Sequence, residues 1–425
     1  MYFKFFRIVV LTAILFGLSG PTSFGQAEKA VPDTVIVDKG IDIKFVDFAK
    51  KIEASIDDGS PDFCNNNMHF ELLFDRMMGG RKISDKAKSE FMSGFKKGFN
   101  FSKIIAKGIS LKLLRMESDG TGTRALFRAF DPDGGHAYFK FLLVEDGNKI
   151  YIADLYSSTC GEDISSILSH DTVPMLARSD SGLLGKLLQK ETEFSKNFLK
   201  ISQIKKLIND GDPDTALKTY NELPDCLKLE KLIILLRIQA SVLKGADSRE
   251  YKESLAALKG CVKDGDNSLD GILLNYYILN KDFSKAHGCL DNLYKMTANN
   301  DPYLDVKRGD IFLEEGKLNE AEAIIRKGIQ REPTMESPYW SLFTVLIAEK
   351  KWPDATKTIQ SIEKLFNKKL SFADMEKDPE YASLVKTDDY LKWKESTLKP
   401  NQALPADSAK KTTAPTKKPR MLEPK

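Results

Sequence analysis

The sequence predicts an α+β N-terminal domain followed by an all-α array of helical hairpins. Four short runs within residues 109–156 alternate with a period of two and are rich in β-branched and aromatic residues, which is typical of antiparallel strands. From residue 164 to residue 399, apolar residues recur instead every three or four positions, as on helices. Within this second region, similar segments return at intervals of 34 and 35 residues, which indicates stacked copies of one helical unit.

The first 27 residues have the features of a secretory signal peptide. Lys4 and Arg7 precede an uncharged apolar run at residues 8–18, and Gly25 and Ala27 are small residues suited to cleavage. The run is shorter than the roughly 20 residues of a membrane-spanning helix. We therefore expect export to the periplasm, the medium or the cell surface, with no integral membrane span in the mature chain. An uncleaved anchor is the alternative.

The charge distribution indicates a mildly acidic folded body. The whole chain carries a net charge of +3, which falls to +1 without the two cations of the signal peptide. Residues 399–425 contribute +5, so residues 28–398 carry −4. A nucleic-acid binder is expected to present a basic surface, so we expect no nucleic-acid partner.

In the N-terminal domain, three helices are predicted to precede the strands. Residues 41–56 place apolar side chains on one stripe of a helix. A less regular helical pattern covers residues 68–78, and the phenylalanine-rich residues 89–101 form the third helix. Four antiparallel strands follow as a meander, because glycine-containing turns separate the alternating runs at residues 118–122, 131–135 and 146–148.

Helices followed by a curled sheet that ends in the segment KIYIADLYSSTCGE resemble nuclear-transport-factor-2-like (NTF2-like) and cystatin-like domains over about residues 40–165. The resemblance implies a four-stranded cone. A pocket in such a cone would be lined by Phe127, Tyr138, Phe141 and Tyr151, and plain core packing of these aromatics is the alternative. Enzymes, ligand binders and dimerisation modules share the fold, so it does not select a function.

The helical region carries a recognisable repeat pattern. Residues 316–333 read GKLNEAEAIIRKGIQREP, with Ala321, Ile325, Gly328 and Pro333 in the small, large, small and terminating positions of the second helix of a tetratricopeptide repeat. This segment is similar to that family, and residues 302–315 supply the first helix of the same hairpin. Asp305 departs from the aromatic or aliphatic residue that the family usually carries at its position.

The pattern extends to about five hairpins. Ala286 and Ala355 occupy the position of Ala321 at offsets of 35 and 34 residues. An earlier unit contains Gly211 and Ala216 in the same order, and a pair with poorer consensus lies between. The predicted organisation is a signal peptide at 1–27, an NTF2-like domain at 28–165, a connecting helix at 166–196, repeats at 197–370, capping helices at 371–398 and a disordered basic tail at 399–425.

The repeat resemblance implies that a partner protein or peptide binds in a concave groove lined by the first helix of each hairpin. The groove positions on which we place partner contacts are Asn275, Tyr303, Asp310, Trp340 and Thr344. A tryptophan in a groove is a natural interface anchor. A register error of one residue would instead place Trp340 in the hairpin core and turn Tyr339 towards the groove.

The five cysteines at 64, 160, 226, 261 and 289 form no C-x-x-C pair. In an oxidising compartment they allow two disulfides, and a Cys64–Cys160 cystine within the N-terminal domain is one candidate. The three cysteines of the repeats could pair across one hairpin interface, and buried free thiols are the alternative to both.

No catalytic, cofactor-binding or metal-binding residue is predicted, because the sequence has no phosphate-binding loop, zinc-protease helix motif or serine nucleophile elbow. We expect an exported, non-enzymatic protein-interaction scaffold with a second interaction or dimerisation module in its N-terminal domain. The alternative is an NTF2-like domain that binds or transforms a small ligand and is tethered by the repeats.

Overall fold

The computed structural model describes residues 35–101, 105, 108–130, 135–179 and 193–398. The predicted signal peptide and basic tail lie outside the described residues. Internal contacts divide the described chain into two compact units, residues 35–300 and residues 301–398. The domain boundaries proposed from the sequence stay predictions.

The first unit begins with four helices and a six-stranded sheet. Its helices are α1 Ile43–Asp57, α2 Asp62–Asn66, α3 Phe70–Met78 and α4 Asp85–Gly98. The strands are β1 Ile36–Val37, β2 Ser110–Ser118, β3 Thr123–Phe130, β4 His136–Asp146, β5 Lys149–Ser157 and β6 Glu162–Asp163, and they lie side by side in chain order.

The prediction of a four-stranded cone is wrong. The central strands β2 to β5 form the predicted antiparallel meander, but β1 adds to β2 in parallel and β6 adds to β5 in antiparallel, which gives a mixed six-stranded sheet that is not a cone. Each added strand has only two residues, which is too short to show alternation in the sequence. Two of the three predicted glycine turns are present, with φ angles of 80° at Gly120 and 62° at Gly147, and residues 131–134 of the third lie outside the described residues.

The sheet and its helices share one aromatic core. The Phe141 ring stacks on Phe101 at 6.1 Å between centroids and meets Phe127 edge-on at 5.3 Å. Helix α1 packs on β2 through a single apolar face that includes Val46 and Ile52, as its periodicity predicted. Asp42 begins this helix by accepting a hydrogen bond from the backbone N–H of Lys44.

Helices then continue to the end of the first unit. They are α5 Ile164–Ser179, α6 Glu193–Lys196, α7 Phe198–Asn209, α8 Pro213–Asn221, α9 Asp225–Lys228, α10 Lys231–Val242, α11 Arg249–Cys261, α12 Asp270–Leu279 and α13 Phe283–Met296. Consecutive helices pack in pairs, α7 with α8, α10 with α11 and α12 with α13. Ala216 and Ala286 are fully buried in the second helices of their pairs, because only a small side chain fits between helices in close contact.

A buried carboxylate joins the sheet to helices α3 and α5. Asp154 of β5 accepts a 2.6 Å hydrogen bond from Nε of Arg76 on α3 and another of 2.6 Å from Oγ of Ser165 on α5. The backbone N–H groups of Leu155 and Ser165 donate to its other oxygen. A buried charge is tolerated when it is paired and hydrogen-bonded in this way, so this network has a structural role.

The second unit contains two helix pairs and a C-terminal cap. Its elements are α14 Pro302–Glu314, α15 Leu318–Arg331, α16 Ser337–Ala348, α17 Trp352–Phe366, α18 Phe372–Met375, two 3-10 turns at Pro379–Tyr381 and Leu384–Lys386, and α19 Asp388–Leu398. The cap packs on the pairs through Tyr381, Tyr390 and Trp393, which are all buried.

Two glycines permit the close approach of α14 and α15. A Cβ on Gly309 would lie 2.3 Å from Cγ1 of Ile325, and one on Gly328 would lie 3.2 Å from the Pro302 carbonyl oxygen. The unusual Asp305 is buried here. Its carboxylate accepts a 2.8 Å hydrogen bond from Arg331 Nη1 and lies 3.6 Å from the Lys327 ammonium, so the charge is neutralised from α15.

Candidate functional site

Two helices, α12 and α16, carry almost no charged residues and are nevertheless open to solvent on one side. Helix α16 has no charged residue, and α12 has none after Asp270. A helix that is apolar all round is normally buried all round, whereas a surface helix places charged residues on its outer side. The open sides of α12 and α16 are therefore candidate surfaces for an apolar partner.

On α12, the open side consists of Ile272, Asn275, Tyr276 and Leu279, and we call it the α12 face. Asn275 and Leu279 are exposed, and the other two side chains are half-buried. The Asn275 amide donates a 3.4 Å hydrogen bond to the hydroxyl oxygen of Tyr251 on α11, which fixes its orientation. The predicted contact residue Asn275 is thus accessible and lies in an apolar setting.

On α16, the open side consists of Ser337, Trp340, Thr344, Ile347 and Ala348, and we call it the α16 face. Ser337, Thr344 and Ala348 are exposed, whereas Trp340 and Ile347 are half-buried. The opposite side of the same helix is buried. Thr344 Oγ1 donates to the Trp340 carbonyl oxygen at 3.1 Å, so its methyl group remains for outside contacts.

The indole of Trp340 is held in one orientation by residues that the sequence did not reveal. Its Nε1–H donates a 2.9 Å hydrogen bond to Oε1 of Glu336, and the Lys368 ammonium lies 2.8 Å from the same oxygen. The ring also meets Phe343 edge-on. Since the N–H is already bonded inside the protein, the indole can offer a partner only its aromatic surface.

The neighbouring Tyr339 has the opposite environment. It is buried, its ring lies 5.4 Å from that of Phe366 on α17, and its hydroxyl donates to the Pro333 carbonyl oxygen at 3.1 Å. Tyr339 therefore packs between the two helices of the hairpin, while Trp340 lies at the edge of that core.

A hydrogen bond next to the α16 face joins helix α16 to α14. Asp310 accepts a 2.8 Å hydrogen bond from Ser341 Oγ on one carboxylate oxygen and a 3.2 Å hydrogen bond from the Lys307 ammonium on the other. Burial disfavours the charge on Lys307, but Tyr303 and Asp310 outweigh this effect and raise the lysine pKa above its ordinary value. Asp310 is thus partly satisfied by its own neighbours and still half-exposed.

Tyr303 is placed differently from the other predicted contacts. Only 3% of it is exposed, and the Lys307 ammonium lies 5.2 Å from its ring centroid. Burial raises the pKa of its phenol. Asp310, Trp340 and Thr344 are thus at least partly accessible to a partner, whereas Tyr303 is buried and has almost no accessible surface.

Of the residues that sequence reasoning missed, Glu336 had a usable signal and Lys368 had none. Glu336 precedes Trp340 by four residues, so the two share one side of the helix end. Lys368 follows Trp340 by 28 residues and reaches Glu336 only after α17 has folded back. A sequence pattern cannot show such a contact.

All five cysteines lie within the described residues, and none of them is in a disulfide bond. The Cys64–Cys160 cystine is therefore not formed in this structure. Burial raises the pKa of Cys64 to about 12 and that of Cys160 to about 11. A raised pKa means that very little of the reactive thiolate form is present near neutral pH. Both cysteines therefore behave as small, buried, unreactive apolar side chains.

The aromatic residues considered for a pocket in the N-terminal domain form its core instead. Phe127, Tyr138 and Phe141 are buried, and Tyr151 is half-buried with its ring against His69. A separate cavity of about 30 Å³ lies between α5, α7 and α10, with Cys160, His170 and Gln239 among its lining residues. That volume holds about two water molecules, far less than a substrate needs.

Within the described ranges, no three His, Cys, Asp or Glu side chains are grouped to hold a metal ion. Across the same ranges, no helix has both the length and the apolar character needed to cross a membrane. Comparisons with protein-family models, with curated proteins and with solved structures gave no match to this chain.

Proposed function

We propose that this chain is an exported, non-enzymatic scaffold of tetratricopeptide-like hairpins that binds a segment of another protein. The observation that carries the proposal is the α16 face, which is the open side of a twelve-residue helix that has no charged residue. Contact between apolar surface and water is unfavourable in free energy, and a partner that covers the surface with its own apolar side chains would remove this contact.

The geometry of the α16 face suits a short apolar segment. Trp340, Thr344 and Ile347 lie at i, i+4 and i+7, which places the two large side chains about 10 Å apart along the helix. Two turns of a partner helix, or about three residues of an extended strand, cover that length. A tryptophan ring that is fixed before binding makes a good anchor, because little side-chain entropy remains to be lost.

Membership of the repeat family is supported by the close packing of α14 on α15. Gly309, Gly328 and the buried Ala321 and Ile325 occupy the small and large positions that such a hairpin needs. In the resembled family, the first helices of the hairpins line the concave groove, and the α12 and α16 faces both belong to first helices. The α12 face is then a second contact region, and the N-terminal domain is a further interaction module.

The experiment places a charge on the proposed surface of the full mature chain. Thr344→Lys puts an ammonium in the middle of the α16 face, whereas Ser361→Lys does the same on the charged outer side of α17. The two sites are matched, because Ser361 Oγ also donates to the carbonyl oxygen four residues earlier, that of Lys357, at 2.9 Å. Both variants should keep the melting temperature of the unmodified chain within about 2 °C.

Each protein then serves as bait in envelope extract, with quantitative mass spectrometry of what is retained. We expect a partner whose recovery with Thr344→Lys falls at least about tenfold relative to Ser361→Lys, because burying an unpaired charge at an interface is costly. Equal recovery of every protein by both variants would contradict binding through the α16 face.

A further inference from the structure

The outer edge of β2 is closed by side chains rather than by a strand. Among the described residues, β1 pairs with β2 only at Arg115 and Met116, and most of this nine-residue strand has no strand neighbour there on that side. Helix α1 runs along the gap. The backbone N–H of Leu111 donates to Asp57 Oδ1 at 2.7 Å, and that of Leu113 donates to Glu53 Oε1 at 3.2 Å.

The spacing of the two carboxylates along α1 matches the spacing of the two N–H groups along β2. Glu53 and Asp57 are four residues apart, so their carboxylates lie on one side of α1 with a rise of about 6 Å. Leu111 and Leu113 are two residues apart, so their outward N–H groups are separated by about 6.7 Å. A helix with acceptors at i and i+4 can therefore bind successive outward donors of a strand.

Two backbone carbonyl groups of β2 also accept hydrogen bonds on this side. Asn300, which follows α13, donates its side-chain amide to the Leu114 carbonyl oxygen at 2.8 Å. The backbone N–H of Asp38 donates to the Met116 carbonyl oxygen at 3.0 Å. Two donors and two acceptors of this edge are thus engaged over residues 111–116, although only Arg115 and Met116 pair with β1 on this side.

An open strand edge invites pairing with another strand, and proteins close such edges by covering them or by placing charges there. We propose that Glu53 and Asp57 take the place of a neighbouring strand. Their carboxylates occupy outward N–H groups of β2 and so prevent this edge from pairing with a second copy of this chain. A second copy is the relevant partner because an antiparallel edge is self-complementary about a two-fold axis. Any dimerisation of the N-terminal domain then uses a surface other than this edge.

The test uses the full chain with both carboxylates removed, as Glu53→Ala with Asp57→Ala. We expect hydrogen exchange at the amides of Leu111 and Leu113 to accelerate at least about tenfold, because both lose their acceptors. We also expect dimers that grow with protein concentration, measured by size-exclusion chromatography with light scattering. Asp47→Ala is the control, since Asp47 is an exposed carboxylate on the same helix, and it should change neither quantity.

The conservative pair Glu53→Gln with Asp57→Asn keeps an acceptor oxygen at each position and should restore both the slow exchange and the monomer. If the double alanine variant does not fold, Asp57→Ala alone serves, with faster exchange expected at Leu111 and not at Leu113. Unchanged exchange at the edge amides would overturn the proposal. So would a chain that exchanges faster at these amides and yet stays monomeric at every concentration.

Discussion

Replacing Gly309 by alanine tests the packing of α14 on α15 most directly. The new Cβ would lie 2.3 Å from Cγ1 and 2.8 Å from Cδ1 of Ile325, and 3.2 Å from Cγ2 of Ile324. Ile325 is fully buried, so it cannot move aside without displacing its own neighbours. Overpacking of this kind costs about 3 kcal/mol, and the better helix propensity of alanine returns about 1 kcal/mol. We expect a net loss of about 2 kcal/mol in the free energy of unfolding.

The chain provides a selective assay for this variant. Its three tryptophans, Trp340, Trp352 and Trp393, all belong to the second unit, so tryptophan fluorescence reports the unfolding of residues 301–398. A urea titration of the full chain should show a lower midpoint for Gly309→Ala. Gly288→Ala is the matched control, since Gly288 lies inside α13 and a Cβ there meets nothing within 4 Å. It should leave the tryptophan transition unchanged.

A double-mutant cycle locates the clash. Ile325→Ala alone should cost about 2 to 5 kcal/mol, because it empties a buried site. Combined with Gly309→Ala, the loss should be smaller than the sum of the two single losses, since the added methyl group then occupies the vacated space. A Gly309→Ala chain with an unchanged or higher midpoint, or strictly additive losses, would refute the close packing of these two helices.

Two further predictions use other parts of the molecule. Tyr339→Ala should cost about 3 to 5 kcal/mol of stability, whereas Trp340→Ala should cost about 2 kcal/mol, because only Tyr339 is buried between its helices; equal losses in tryptophan-monitored urea unfolding would contradict this difference. Burial of Glu162 is outweighed by its contacts with His170 and Lys231, so its pKa falls from 4.5 to about 2. A lowered carboxyl pKa adds stability above the pKa of the unfolded chain, and this stability is lost as the pH falls through the folded value. Glu162→Gln should therefore cost about 2 kcal/mol at pH 7, reduced from the full shift by partial exposure, and clearly less at pH 3. The measurement is the urea midpoint of unfolding, followed by circular dichroism. A midpoint that Glu162→Gln lowers by the same amount at pH 7 and pH 3 would contradict this prediction.

The sequence predicted those parts of the fold that depend on local repetition. The helix at residues 41–56 is α1, and the central meander has its glycine turns at Gly120 and Gly147, because periodicity and turn chemistry act over a few residues. β1 and β6 were missed because two residues cannot show a period. Their strands form only because β2 and β5 provide a template, which is a tertiary effect.

Contacts between distant residues were out of reach for the same physical reason. Asp57 and Leu111 are 54 residues apart, and nothing in either segment indicates that a helix will bind the edge of a strand. Asp305 looked like a departure from the repeat pattern, yet Arg331 neutralises it from the next helix. Such pairs are specified by the arrangement of elements in space, and single-sequence patterns do not contain it.

The uncharged composition of α16 predicts only part of the candidate site. The absence of charge in α16 is visible in the sequence, but an uncharged helix is equally consistent with complete burial and with a surface reserved for a partner. The distinction depends on which side chains the second helix of the hairpin covers. Here Phe366 covers Tyr339 and leaves Trp340 at the edge, where Glu336 engages its only polar group.

Because that hydrogen bond consumes the N–H of Trp340, the residue is equipped for apolar contact rather than for hydrogen bonding. Replacing Trp340 by phenylalanine should therefore weaken partner binding much less than replacing it by alanine.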